Sequence, residues 1–334
     1  MRHLGTRSVN PVGLGCMPLS WGYGATPEEP EAIALLNKAL DLGYDHLDTA
    51  NIYGRGHNET LIGKALWHRR GEYVLATKTG IVVEGANRGI DCSPEAICRN
   101  IDASLERLQT DHVDLYYLHR FDPKVPVAEV AGAMGELIAA GKIGGYGVSE
   151  WSAAHIREAH AVTPMTAVQT EYSLWSRDAE IAVLDTCREL GITFVAFSPV
   201  ARGVLANGVR DVAALHERDL RRTMPRFADE NWPLNLALVD AFNAIAAREG
   251  VTPAQLSLGW VLAQGEHIVA IPGTTSRAHL AENIERQDWV MPTRLAAELD
   301  ALINRNTVAG PRYGAAMQAT IDTEAFPEAD AHHA

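Results

Sequence analysis

Short apolar runs alternate with amphipathic stretches along almost the whole chain, and this alternation limits the possible folds more than any other feature. Candidate strands are Val12–Gly15, Asp45–Asp48, Tyr73–Thr77, Val113–Leu118, Ile143–Val148, Ala167–Gln169, Thr193–Phe197 and Ile268–Ile271. Most are rich in Val, Ile, Leu and Tyr and stop abruptly at polar residues, as strands buried on both faces do. The helices between them carry readable punctuation. Thr26-Pro27-Glu28-Glu29 predicts a helix start with Thr26 as N-cap and Pro27 at the first helical position. Ser93-Pro94-Glu95 and Thr252-Pro253 predict two more. Gly43, Gly141 and Gly191 each stand where a helix should stop before a strand. Eight strands in step with about eight helices predict an α/β fold of the (β/α)8 TIM-barrel type, with the 334 residues forming one domain. An open dinucleotide-binding sheet would need GxGxxG after its first strand. Here Gly13-Leu14-Gly15 runs into Cys16-Met17-Pro18, and Gly144-Gly145-Tyr146-Gly147 lies within a strand. Two departures from the pattern are an Arg-rich segment over 203–233, after the seventh strand, and a poorly patterned tail over 308–334. The last residues, Asp330 to Ala334, are expected to fray.

Charge and composition narrow the function classes. Lys plus Arg total 29 against 42 Asp plus Glu, a net charge of −13, which argues against nucleic acid or an anionic membrane as a partner. Hydrophobic residues at 47% and charged residues at 21% suit a packed globular enzyme, not a disordered chain. No apolar run approaches the roughly 20 residues of a membrane span. The N-terminal stretch lacks the apolar centre of a signal peptide. Cys16, Cys92, Cys98 and Cys187 form no CxxC and read as reduced thiols, so the expected location is cytoplasmic. The 13 histidines are scattered without HxxxH or a Cys/His cluster, and no metal site is expected.

In a barrel of this kind the chemistry sits at the C-terminal ends of the strands. Asp48 ends the second strand, Lys78 follows the third, His119 follows the fourth, and Tyr53 lies in the loop after Asp48. Taken singly, each has an ordinary structural reading: an ion pair, a satisfied imidazole, loop packing. Around one mouth they form a proton-donating device. A tyrosine of pKa about 10 is a weak acid unless a cation stabilises its phenolate. Lys78 can supply that cation, Asp48 can hold Lys78, and His119 can position a carbonyl oxygen or pass it a proton. Protonating a carbonyl calls for a hydride donor, hence a nicotinamide cofactor. Trp21, Trp151 and Trp175 are candidates for the substrate mouth.

The run from Asp48 through Tyr53, Asn58, Glu59 and Gly63 to Leu66 resembles the first signature of the aldo-keto reductases. The resemblance extends over roughly Val9 to Leu302. It implies Asp48, Tyr53, Lys78 and His119 as the catalytic tetrad and NADP(H) as cofactor. His119-Arg120, Gly147–Glu150 and Pro225–Phe227 resemble the branch that contains pyridoxal and perakine reductases. By the same resemblance Ser149, Glu150 (where the family has Asn) and Gln169 meet the nicotinamide carboxamide. Phe197 stacks on the ring where the family often has Tyr, and Ser198, Pro199, Arg202 and Gly203 contact the pyrophosphate. Ile271 to Asn283 crosses from the eighth strand into a helix start, where free backbone N–H groups and hydroxyls converge on an anion. The resemblance assigns the adenosine 2′-phosphate and adenine to Gly273, Thr275, Arg277, His279, Glu282 and Asn283. Arg120 joins Trp21 and Trp151 on the substrate side.

The expected function is NADPH-dependent reduction of an aldehyde or ketone with Tyr53 as general acid, the partner being a small carbonyl or alcohol. Alternatives are oxidation of a secondary alcohol by the same residues, and a redox-sensing cofactor-binding subunit like the potassium-channel β subunits. A third is a lyase with Lys78 as Schiff base, which would need Lys78 free of Asp48 and Tyr53.

Overall fold

The structure is a computed structural model that describes residues 1–84 and 87–326; the expected fraying of Asp330 to Ala334 lies outside the described residues. The chain opens with an antiparallel hairpin, β1 (Arg2–Leu4) and β2 (Arg7–Val9). Barrel strands follow as β3 (Leu14–Gly15), β4 (His46–Asp48) and β5 (Val74–Thr79). A second hairpin, β6 (Ile81–Glu84) and β7 (Asn87–Ile90), interrupts the series. The barrel resumes with β8 (Leu115–Leu118), β9 (Tyr146–Ser149), β10 (Ala167–Glu171), β11 (Thr193–Phe197) and β12 (Ile268–Ile271). Strands β3, β4, β5, β8, β9, β10, β11 and β12 pair in that order, all in parallel.

The barrel closes where the first strand meets the last. The amide of Gly13 donates to the Ala270 carbonyl at 2.9 Å and that of Ala270 to Pro11 at 2.9 Å. Gly15 then donates to Pro272 at 3.2 Å. Backbones approach so closely here that a β-carbon on Gly15 would lie 2.8 Å from the Ile271 carbonyl oxygen. One on Gly273 would lie 2.9 Å from that of Gly15. Only glycine fits this seam. At the barrel's N-terminal end, Leu4 and Val9 of the first hairpin pack on Val74, Leu115, Val195 and Val269, plugging the bottom. Burial of these apolar faces, at roughly 25 cal/mol per Å², is the main favourable contribution.

Helices alternate with the strands: α1 (Glu29–Asp41), α2 (His57–Leu66), α3 (Pro94–Leu108), α4 (Val127–Ala139), α5 (Ala153–Val162) and α6 (Val183–Leu190). After β11 come α7 (Trp232–Glu249) and α8 (Pro253–Ala263), and after β12 α9 (Arg277–Glu285) and α10 (Thr293–Leu302). Ser93 caps α3, accepting from the Ala96 amide at 3.3 Å, and Thr252 with Gln255 forms a capping box on α8. The start of α1 differs from expectation. Its N-cap is Glu28, because Pro30 lacks the N–H that a helix begun at Pro27 would need in its second turn. Up to the start of α7, the 203–233 segment contains only short 3₁₀ turns, and it folds over the barrel mouth. Among the described residues no helix is long and apolar enough to cross a membrane.

Candidate active site

The register of three neighbouring strands assembles the four expected residues. Asp48 pairs with Ala76, and Lys78 pairs with Tyr117, two residues before His119. Lys78 forms an ion pair with Asp48 and donates to the Thr49 carbonyl at 2.8 Å and to the Tyr53 hydroxyl at 3.5 Å. The second Asp48 oxygen accepts from Gln169 Nε2 at 2.8 Å. Tyr53 and His119 meet edge to face, with ring centres 5.8 Å apart. The turn carrying Tyr53 is pinned by the rest of its signature. Asn58 accepts from the Thr49 hydroxyl at 2.6 Å and donates to the Cys16 carbonyl at 2.9 Å. Buried Glu59 accepts from Thr77 at 2.5 Å and Arg107 at 2.7 Å.

Burial and charge set the protonation of the group. Burial pushes the Lys78 ammonium down, but attraction to Asp48 and Tyr53 outweighs it and leaves Lys78 above its ordinary value. Burial raises the Tyr53 phenol, and Lys78 pulls against that rise without cancelling it. The expected lowering by Lys78 is therefore present but is not the larger effect, because the hydroxyl sits deep at the cavity floor. His119 is held well below the usual imidazole range, first by burial and then by Arg120, Lys78 and Arg88. Its imidazole is therefore uncharged at neutral pH.

Asp48, Tyr53 and His119 open onto a cavity of about 1210 Å³. Most of the expected cofactor residues line it: Ser149, Gln169, Phe197, Ser198, Pro199, Arg202, Gly203, Gly273, Thr275, His279, Glu282 and Asn283. Ser198, Ala201 and Arg202 adopt left-handed backbone at φ 51°, 49° and 57°, so the loop after β11 coils back towards the mouth. The close seam at Gly273 keeps that wall free of side chain. These features fit an elongated dinucleotide running from Gln169 to the start of α9. Arg277, first residue of α9, is exposed just outside the lining, with no ion pair among the described residues. Trp21 and Arg120 also line the cavity.

Three expectations need correction. Glu150, expected at the carboxamide, has left-handed backbone at φ 60° and is fully buried away from the lining. Its carboxylate is paired with Arg312 and accepts from the Thr323 hydroxyl at 3.2 Å. Trp151, expected at the substrate mouth, is 1% exposed and packs edge-on against Phe121. Trp175 is likewise buried behind the lining, with its carbonyl accepting from Arg226 at 2.5 Å.

Sequence reasoning missed the group that organises the rim. Glu171, at the end of β10, accepts from Arg202 at 2.7 Å, Tyr313 at 2.7 Å and Arg312 at 3.1 Å. Burial alone would raise its carboxyl, but Arg202 and Arg312 hold it far below the carboxylate range. The network ties the tail to the ends of β9 and β10, and brings Tyr313 and Met317 to the cavity wall. Arg221 of the 203–233 segment also lines the wall, anchored on Asp219 at 2.6 Å and donating to the Arg202 carbonyl at 2.9 Å. The one visible signal was an Arg-rich tract in an otherwise acidic chain.

Solved structures with this architecture include a glycerol dehydrogenase from Gluconobacter oxydans, 26% identical, TM-score 0.82, covering 93% of this chain and 96% of that one. An aldo-keto reductase from Bacillus halodurans in its holo form is 27% identical, with TM-score 0.75 and coverage of 91% and 96%. An aldo-keto reductase from Klebsiella pneumoniae in complex with NADPH is 26% identical, with TM-score 0.69 and coverage of 88% and 91%. The sequence profile of the Aldo/keto reductase family matches residues 11–304, and with the barrel and the assembled strand ends this establishes that the chain belongs to that family.

Proposed function

We propose that the protein reduces an aldehyde or ketone to an alcohol, with Tyr53 as general acid. It is an oxidoreductase that uses NADP(H), as its family membership and its NADPH-bound neighbour support. The observation that carries the proton-donor assignment is the Tyr53 hydroxyl 3.5 Å from a fully buried, ion-paired Lys78, beside a neutral His119.

The cofactor supplies the hydride, and the chain's own residues do the rest. Gln169, Ser149 and Phe197 would hold the nicotinamide end, and the α9 start with Thr275 and Arg277 the adenosine phosphate end. A substrate oxygen at the cavity floor would accept hydrogen bonds from Tyr53 and His119. As charge grows on that oxygen the proton leaves Tyr53 Oη, and Lys78 stabilises the phenolate left behind. Asp48 keeps Lys78 charged and aimed. Because Lys78 is committed to Asp48 and Thr49, it is not free for Schiff-base chemistry. Resemblance to a glycerol dehydrogenase supports alcohol oxidation by the same residues as a second direction. His119-Arg120 and Pro225–Phe227 support a place near the pyridoxal and perakine reductases, and four unpaired cysteines suit the cytoplasm.

The test is absorbance at the nicotinamide band with NADPH or NADH and a panel of aldehydes, ketones, pyridoxal and sugars. Tyr53→Phe should cut turnover by about 10²-fold or more while leaving cofactor binding nearly intact. Undiminished reduction by that variant would remove Tyr53 from the role.

A further inference from the structure

The cavity wall is cationic in a chain of net charge −13. Five arginines line it (Arg55, Arg88, Arg120, Arg202 and Arg221) against two carboxylates, Asp48 and Glu282. Asp48 is paired with Lys78, Arg202 with Glu171 and Arg221 with Asp219. Arg55 and Arg120 have no carboxylate partner among the described residues. Arg120 is the most telling. It is 8% exposed, one of its terminal nitrogens donates to the His119 carbonyl at 2.6 Å, and its Nε is buried with no partner. An unpaired guanidinium at that depth is costly unless a ligand completes it.

The positions of these arginines point to the substrate, not the dinucleotide. Arg120 follows β8, Arg88 stands on the β6–β7 hairpin that follows β5, and Arg55 lies in the turn after Tyr53. In the strand order β5 and β8 lie across the barrel from β11 and β12, whose loops form the expected cofactor wall. We infer that Arg120, with Arg88 and Arg55 at the rim, recognises an anionic group on the substrate, a carboxylate or a phosphate carried by the aldehyde or ketone. This inference rests on the carbonyl-reductase reading and adds the substrate class to it. A guanidinium meets either group through two parallel N–H donors, so both anions share one chemistry.

The experiment compares 4-carboxybenzaldehyde with its methyl ester, and 4-formylphenyl phosphate with its dimethyl ester, under saturating NADPH. The acids should exceed the esters in kcat/KM by about 10-fold or more, mostly through KM, in line with a charge-assisted hydrogen bond. The larger of the two ratios identifies carboxylate or phosphate. In Arg88→Gln, a rim substitution, the ratio should fall several-fold, and in Arg120→Gln it should approach unity. Esters reduced as well as acids by the wild-type enzyme would overturn the inference and leave the reductase reading standing. If no aldehyde is reduced, the reductase reading fails and the anion site is judged separately, by calorimetry with benzoate and phenyl phosphate on the NADP-loaded protein. Saturable binding that disappears in Arg120→Gln would then sustain the site, and no binding would reject it.

Discussion

Lys78 has no contact with solvent, yet it stays charged, because Asp48 is its ion partner and Gln169 holds the other oxygen of that carboxylate. Removing either partner would leave a buried charge uncompensated, which is far costlier than losing an exposed pair. Arg277 is the opposite case, a solvent-exposed cation at a helix start. A 2′-phosphate beside it would gain a charge-assisted hydrogen bond of roughly 1.5–3 kcal/mol. Arg277→Ala is therefore expected to weaken NADPH binding about 10- to 100-fold with little change for NADH. The difference should narrow as salt rises. Fluorescence titration of both cofactors checks this, and equal losses for the two would reassign Arg277 to the support of the helix.

At the scale of elements, the barrel was readable because parallel strands buried on both faces announce themselves as unbroken apolar runs. Ile268–Ile271 and Thr193–Phe197 lie where the sequence puts them. Val74–Thr79 and Ala167–Glu171 run two residues further than expected, since their polar ends are buried at the mouth. The meeting of Asp48, Tyr53, Lys78 and His119 at one mouth was readable for a related reason: strand ends are positions the sequence itself marks. The β6–β7 hairpin and the tail network carried no such mark. Arg312 reaches Glu150 across 162 residues and Glu171 across 141, and a contact so distant leaves no local periodicity. The tail's attachment can be probed directly. Arg312→Met would strand buried Glu150, while Glu171 keeps Arg202, and should cost about 3–5 kcal/mol of stability. Because Tyr313 and Met317 form part of the cavity wall, KM should rise as well. Urea denaturation measures the first effect and steady-state kinetics the second, with protease cleavage near residue 310 as a readout of the tail itself. A wild-type midpoint with an uncut tail would show that the network does not hold the tail.

For the whole molecule, buried imidazoles set the response to acid. His46 is fully buried with both ring nitrogens unpartnered, and burial lowers it to about 4. His119 is lowered in the same direction, first by burial. Above about pH 6.5 these groups are neutral in both folded and unfolded chains and contribute no pH dependence. As pH falls below that, the unfolded chain takes up protons that the folded one refuses, so stability declines. Each imidazole contributes about 1.4 kcal/mol per pH unit until its folded value is reached. Glu171, held low in the folded state, adds stability that is present above about pH 4.3 and lost below it. Through His46 alone, unfolding free energy at pH 5 should thus lie about 2 kcal/mol below its value at pH 7.5, and His119 adds to the fall. A urea midpoint that stays constant between those two pH values would contradict this account of His46 and His119.

The Arg312 clasp also has a consequence for biosynthesis. Synthesis runs from the N- to the C-terminus, so Glu150 is made 162 residues before the guanidinium that neutralises it, whereas Glu171 meets Arg202 much sooner. Until Arg312 has left the exit tunnel, a nascent barrel already has its strands but holds Glu150 without its counter-ion. Closure of the active-site rim must then wait for the segment that carries Arg312 and Tyr313. A product stalled before residue 312 would carry an unclasped rim and an unpaired Glu150, a chemical difference by which quality-control factors could recognise it.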